Sequence, residues 1–125
     1  MRSVKRTILL TLTCVFFSAS SAIAVRQLVT IDTPQPARRV EGIVLDPSGA
    51  PIPEMTVSDY SEGWAIVVRT TKTDDKGHFR FSEQRGKNIY YLQFDSPSYN
   101  PLRIKLKLDK NSPHRAVTVN APIGG

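Results

Sequence analysis

The stretch TTKTDDKGHFRF, residues 70–81, packs two carboxylates, a lysine and one of the chain's two histidines into the five positions from Asp74 to His78. Two readings compete: a small catalytic or metal-binding cluster, and a turn between two strands. The turn accounts for the residue types in order. Gly77 is available for positive φ, and Asp74 can accept from backbone N–H groups two residues on. Past the turn, Phe79 and Phe81 alternate with His78 and Arg80, which directs the rings inward and the histidine outward. Calcium uses carboxylates and turn carbonyls, but the repeating oxygen-donor spacing of a dedicated loop is missing here. The corner is polar because it is a corner, and neither a metal nor a cofactor is implied.

Outward from this corner the chain reads as one all-β domain. Strands are predicted near residues 39–46, 54–60, 64–73, 78–82, 89–95, 102–108 and 116–120, separated by Pro, Gly, Asn or Asp, a spacing that suits a sandwich or barrel. Alternation is clearest in LRIKLKL, where Leu102, Ile104, Leu106 and Leu108 share one face and Arg103, Lys105 and Lys107 the other. The three cations read as a solvated face that also discourages edge pairing; a stripe for an acidic polymer is the sharper alternative. Residues 25–38 contain two prolines and read as a leader or linker, with a short edge strand at Leu28 to Ile31.

Residues 1–24 have the three-part layout of a secretory signal. Arg2, Lys5 and Arg6 form a basic start, Ile8 to Phe17 an apolar run, and Ala22-Ile23-Ala24 a small-residue site with cleavage between Ala24 and Val25. The apolar run is too short for a membrane span, which needs roughly 20 residues. Cys14 is preceded by Thr13 rather than a small residue, unlike a lipoprotein signal.

The sole cysteine leaves with the signal, so the expected mature chain has no disulfide and no thiolate chemistry. It keeps 14 basic against 11 acidic residues, a balance of 14 − 11 = +3, with no basic block. Nucleic acid is therefore not an expected partner. The expectation is a secreted or periplasmic protein with no membrane span after cleavage.

With these residues placed, the chain resembles the carboxypeptidase regulatory-like domain, a transthyretin-like β-sandwich of the carbohydrate-binding-like superfamily. The pattern V-x-G-x-V-x-D-x-x-G-x-P-[apolar]-P falls on Val40, Gly42, Val44, Asp46, Gly49, Pro51, Ile52 and Pro53. Thr73 to Phe81 is similar to the family's T-D-x-x-G-x-F-x-F, and Tyr90 to Tyr99 to its strand and following corner. Glu54-Met55 stands where the family usually has Gly-Ala, and Ser98 replaces a corner glycine. The resemblance covers about residues 39–122. It implies a seven-stranded Greek-key sandwich after the signal (1–24) and leader (25–38), before a short tail at 123–125. It also implies a module of exported bacterial proteins that stabilises, spaces or binds, here with no neighbouring domain to regulate.

Nothing in the sequence assembles a catalytic constellation. His78 and His114 lack the spacing that puts two metal ligands on one element, and no nucleophile elbow or phosphate loop is present. Glu41, Glu54, Glu62 and Asp59 are the carboxylates that could still meet in space. No catalytic residue is assigned, and the chain is read as a non-enzyme.

For binding, the candidates are Tyr60, Trp64, Tyr91 and Tyr99, since an apolar sugar face stacks on an aromatic ring. Trp64 shares an apparent strand face with Ile66 and Val68, which argues for burial. Tyr60 and Tyr91 alternate outward. The expected function is an exported, non-catalytic binding or structural module of the cell envelope, engaging an envelope protein; the alternative is a carbohydrate-binding module using exposed aromatics.

Overall fold

The computed structural model describes residues 26–123. The signal segment, its Ala24–Val25 junction and the last two glycines of the expected tail lie outside the described residues. Eight strands follow in order: β1 (Val29–Ala37), β2 (Glu41–Leu45), β3 (Thr56–Tyr60), β4 (Val67–Lys72), β5 (His78–Arg80), β6 (Ile89–Ser96), β7 (Tyr99–Leu108) and β8 (Val117–Asn120). They form a five-stranded sheet, β1-β7-β6-β3-β4, and a three-stranded sheet, β5-β2-β8. The two sheets make a sandwich, so all seven strands expected from the sequence are present. No helix among the described residues is long and apolar enough to cross a membrane.

The eighth strand is β1, drawn from the segment read as a leader. It runs well past the short edge strand expected at 28–31 and pairs in parallel with β7, from Val29 opposite Leu102 to Ala37 opposite Leu108. Ala37 is buried in the core and Val29 packs against it. A register shift between Ile31 and Gln35, together with Pro34 and Pro36, suits an edge position, where an N–H donor is not needed on the outer side.

Alternation decides which residues enter the core. Tyr90, Leu92 and Phe94 from β6 and Leu102, Ile104 and Leu106 from β7 are buried, facing Val44, Phe79, Val117 and Val119 of the smaller sheet. Phe79 meets Phe94 edge-on at 5.2 Å, a contact that ties the sheets together. Gly42 is forced by this packing: a Cβ there would lie 2.5 Å from the Val117 carbonyl oxygen and 2.8 Å from the Phe79 ring.

The Asp74–Gly77 corner is a turn, but it joins strands of opposite sheets and not the two arms of a hairpin. Asp74 Oδ1 accepts from the N–H groups of Lys76 and His78, each at 2.9 Å, and Gly77 N–H donates to the Asp74 carbonyl at 2.9 Å. Gly77 has φ +76, and its carbonyl accepts from Val44 N–H at 2.8 Å, which docks the outgoing chain onto β2. That docking carries His78–Arg80 across to the smaller sheet. His78 is exposed while Phe79 and Phe81 are buried.

Asp46 closes a second turn in the same manner. Its Oδ1 accepts from Ser48 Oγ at 2.6 Å and from the N–H groups of Ser48 and Ala50 at 2.9 Å. The Ser48 hydroxyl, then the Ala50 N–H, hold the Asp46 carboxyl below its ordinary 3.8. The N–H groups of His78 and then Lys76 do the same for Asp74. A carboxyl depressed on folding contributes stability above its unfolded value and loses it as pH falls through the folded value. The denaturation midpoint should therefore hold from neutrality down to about pH 5 and fall once pH drops below about 4. In an Asp46→Asn, Asp74→Asn double variant, which keeps the acceptors without the charge, that acid limb should be shallower; an unchanged limb would refute the assignment.

The departure at Glu54-Met55 also has a physical reading. Glu54 has φ +60, the left-handed conformation for which the family's glycine is suited, while the Met55 side chain fills the core at no exposure. Thr73 anchors this bend by donating its hydroxyl to the Ile52 carbonyl at 2.7 Å and accepting from Met55 N–H at 2.9 Å.

Candidate functional site

The outer face of the five-stranded sheet is where the candidate aromatics meet. Pairing sets Tyr60 directly opposite Tyr91, Tyr91 opposite Lys105, and Gln93 opposite both Ser58 and Arg103. Directly opposite residues point to the same face of a sheet. Tyr60, Tyr91, Gln93, Arg103 and Lys105 therefore share one outward surface.

Trp64 reaches this surface by an unusual route. After β3, Ser61 N–H donates to the Ile66 carbonyl at 2.8 Å, and Ser61 Oγ accepts from Ile66 N–H at 3.1 Å, pinching off a loop that contains a single 3₁₀ turn at Glu62–Trp64. Gly63 (φ +71) and Trp64 (φ +63) are both left-handed. For a bulky residue that backbone is an outlier held in place by its surroundings. The turn folds the indole back over the sheet, 5.5 Å from Tyr60 and 5.3 Å from Tyr91 between centroids, edge-on to each.

This corrects the expectation that Trp64 lies in the core with Ile66 and Val68. Trp64 is half-buried on the outer face, and Ile66 and Val68 are 66% and 46% exposed. Counting by twos fails because two left-handed residues and a register shift between Asp59 and Tyr60 break the strand there. Tyr99 is no part of the cluster. It sits at the β6–β7 corner, opposite Ser96 and bridged to Ile123, with its side chain against the core.

Two cations complete this surface; in the sequence they read first as a solvated face, with a stripe for an acidic polymer only as the alternative, and nothing there joins them to the aromatics. The Arg103 guanidinium lies 4.6 Å from the Trp64 ring centre and 5.4 Å from that of Tyr60, and Lys105 Nζ lies 5.8 Å from Tyr91. Arg103 is aimed by a polar chain: its Nε donates to Gln93 Oε1 at 2.8 Å, and Gln93 Nε2 donates to Asp95 Oδ2 at 2.7 Å. The outward phase of Arg103 is visible in LRIKLKL; its partners on β6 and the Trp64 loop are not, because strand order and register are absent from the alternation.

The four carboxylates considered for acid–base work do not come together. Glu41 pairs with Arg115 at 2.8 Å, Glu54 faces Lys72 at 4.0 Å, Glu62 is exposed in the 3₁₀ turn, and Asp59 is buried against Arg69 at 2.8 Å. His78 stands 3.9 Å from Asp74 at the exposed corner. Among the described residues no three His, Cys, Asp or Glu side chains are grouped so as to hold a metal ion.

The other exposed feature is the free edge of β4, which begins where the Trp64 loop ends. Thr73 N–H donates to the Met55 carbonyl, so with a period of two Thr71 and Arg69 address β3, while Thr70 and Lys72 face away from it. Among the described residues no strand lies beyond β4 in its sheet. Ile66, Val67 and Val68 are all exposed along this edge. Between β4 and β5 opens a groove of about 600 Å³ lined by Gly42, Thr71, Lys72, His78, Phe79 and Ala116 among others.

A two-sheet β-sandwich with an aromatic outer face is compatible with a binding or structural role. The family pattern of the carboxypeptidase regulatory-like domain matches residues 39–121, and the chain belongs to that family. Its members' regulatory-like domains are non-catalytic β-sandwich modules. No curated protein matches the chain.

Proposed function

We propose that this chain is an exported, non-catalytic interaction module of the cell envelope that docks a partner protein on the free edge of β4 and the aromatic cluster beside it. One observation carries the reading: although β4 also has Lys72 and a register shift, the two edges of the larger sheet expose different residues. β1 bears Asp32, Pro34, Pro36 and a register shift, the usual devices against strand addition. β4 bears exposed Val67 and Val68 with unpaired backbone groups. An added strand would hydrogen-bond to Thr70 and Lys72 and send alternate side chains toward the groove. The adjoining Trp64, Tyr60, Tyr91 and Arg103 are of the residue types that dominate binding energy at protein interfaces.

The test is site-specific photo-crosslinking in the native envelope. A crosslinker at Thr70 should give one discrete adduct that Val67→Lys abolishes without changing the thermal melt, and a crosslinker at Thr33 on the guarded edge should give none. Equal labelling from both edges would overturn the proposal, and a mature chain whose mass does not begin at Val25 would overturn export through the signal segment.

The alternative, a carbohydrate-binding module, is favoured by a separate observation. Three of the four candidate aromatics converge on one open face beside the hydrogen-bonding chain Asp95–Gln93–Arg103. Rings beside fixed polar groups are what a sugar needs, since one face of a pyranose is apolar and its rim is hydroxylic.

A further inference from the structure

We propose that the outer face of the five-stranded sheet binds an acidic polysaccharide, a chain of uronic-acid residues lying along β7 with one residue against the Trp64 cluster. The inference rests on the carbohydrate alternative above and sharpens it to a charge class.

Three cations stand in a row on this face. Arg103, Lys105 and Lys107 project from alternate positions of β7, so neighbours are about 6.6–6.8 Å apart along the strand. None of the three forms an ion pair among the described residues. Elsewhere in the molecule Arg69, Lys72, Lys87, Lys110 and Arg115 each have a carboxylate within 4.0 Å. Arg26, Arg38, Arg39, Lys76, Arg80 and Arg85 also lack an ion pair among the described residues, but Arg103, Lys105 and Lys107 stand in a row at alternate positions of one strand, and an anion carried by a ligand would complement them.

The manner in which Arg103 is held points to a carboxylate. Only its Nε is used, in the bond to Gln93; its two terminal nitrogens make no hydrogen bond among the described residues. Fixed at one corner and resting on the indole, the guanidinium keeps a two-pronged donor edge of the kind that takes a carboxylate through paired hydrogen bonds. Lys105, beside Tyr91, supplies a second charge with no fixed geometry.

Rings and cations together select the polymer. A uronic-acid residue carries an apolar C–H face and a carboxylate on one ring, so a single monomer can rest against an aromatic side chain and present its charge to Arg103. A neutral glycan satisfies only the rings, and an acidic peptide only the cations. The row of cations continues past the aromatic cluster to Lys107, which suits a linear chain repeating the charge.

Binding should be measured on the intact protein at low ionic strength with polygalacturonate, its fully methyl-esterified form and polyglutamate. The expected result is saturable binding to polygalacturonate, at least tenfold weaker for the ester and for polyglutamate. Arg103→Gln and Trp64→Gly should each weaken it at least tenfold; glycine suits the left-handed backbone at 64, so the second variant keeps the fold. Lys76→Gln, on the remote corner, should change it less than twofold. Equal affinity for the ester and the free acid would leave the carbohydrate reading standing and overturn the acidic one. Equal affinity for polyglutamate, with no effect of Trp64→Gly, would reduce the face to bare charge and overturn the proposal. No binding to either glycan would overturn both.

Discussion

Replacing Arg69 by methionine will cost the domain about 3–5 kcal/mol, the range found when one member of a buried ion pair is removed and the other is left behind. Asp59 sits on the core-facing side of β3 with its side chain at 0% exposure. Its Oδ2 accepts from Arg69 Nε at 2.8 Å, while among the described residues Oδ1 makes no hydrogen bond and has only Lys87 Nζ, 3.6 Å away. Arg69 also donates to the Ser82 hydroxyl at 3.0 Å and the Ser82 carbonyl at 2.7 Å, and lies 4.7 Å over the Phe81 ring. One side chain thus fastens β3, β4 and the segment after β5.

The reverse deletion should be milder. In Asp59→Leu the abandoned cations, Arg69 and Lys87, each keep about a quarter of their side chain in water. They can turn outward, whereas the Asp59 carboxylate cannot. The loss expected for Asp59→Leu is about 1–3 kcal/mol, and the double variant should fall short of the sum of the two, because no charge remains buried. For a domain of this size the Arg69→Met loss corresponds to a fall in melting temperature of roughly 15 °C or more. Denaturant titrations of the three variants check the order; equal losses for the two single variants would remove the asymmetry.

Gly77→Ala is the second large effect, about 2–4 kcal/mol. Two costs coincide at this position. The backbone is left-handed at φ +76, which costs a residue with a Cβ about 1–2 kcal/mol. The added methyl would also lie 2.6 Å from the Val44 carbonyl and 3.1 Å from Pro51 Cβ, and overpacking of that kind costs about 1–3 kcal/mol. Gly49→Ala separates the two contributions, since φ is +90 there but a methyl would meet no atom within 4 Å. Thermal melts should show the Gly77 variant well below wild type and the Gly49 variant between them. Identical melts for the two would mean that close approach to β2 contributes nothing.

Much of the architecture is legible in the sequence because it depends on local rules. LRIKLKL assigns its two faces by alternation alone, and Phe79 and Phe81 enter the core as their spacing requires. The turn chemistry at Asp74–Gly77 is also readable, because an Asx side chain and a glycine act within four residues. Its destination is not, since the bond from Val44 N–H to Gly77 that sends β5 to the other sheet joins residues far apart in the chain.

The candidate site fails to be legible for the same reason. Alternation places Tyr60 and Tyr91 outward correctly, but their adjacency is a matter of register between β3 and β6. It places Trp64 inward because WAIVV looks like continuous strand, and nothing in those letters announces that a non-glycine residue takes φ +63. Arg103 is visible as a charge and invisible as a neighbour of Trp64.

Both sheets are locked by late-arriving strands. β1 lies alongside β7 and β2 alongside β8, each in parallel; β2 also has β5 as an earlier partner, whereas β1 pairs with β7 alone and so finds its partner only in the last part of the chain. Between Val29 and its partner Leu102 lie more than seventy residues, and such distant pairings slow folding because the loop must close before any contact rewards it. A chain threaded N-terminus first through a narrow passage would therefore keep its leading strand unpaired until β7 emerged, and the same topology that stabilises the finished sandwich would leave that edge open during transit.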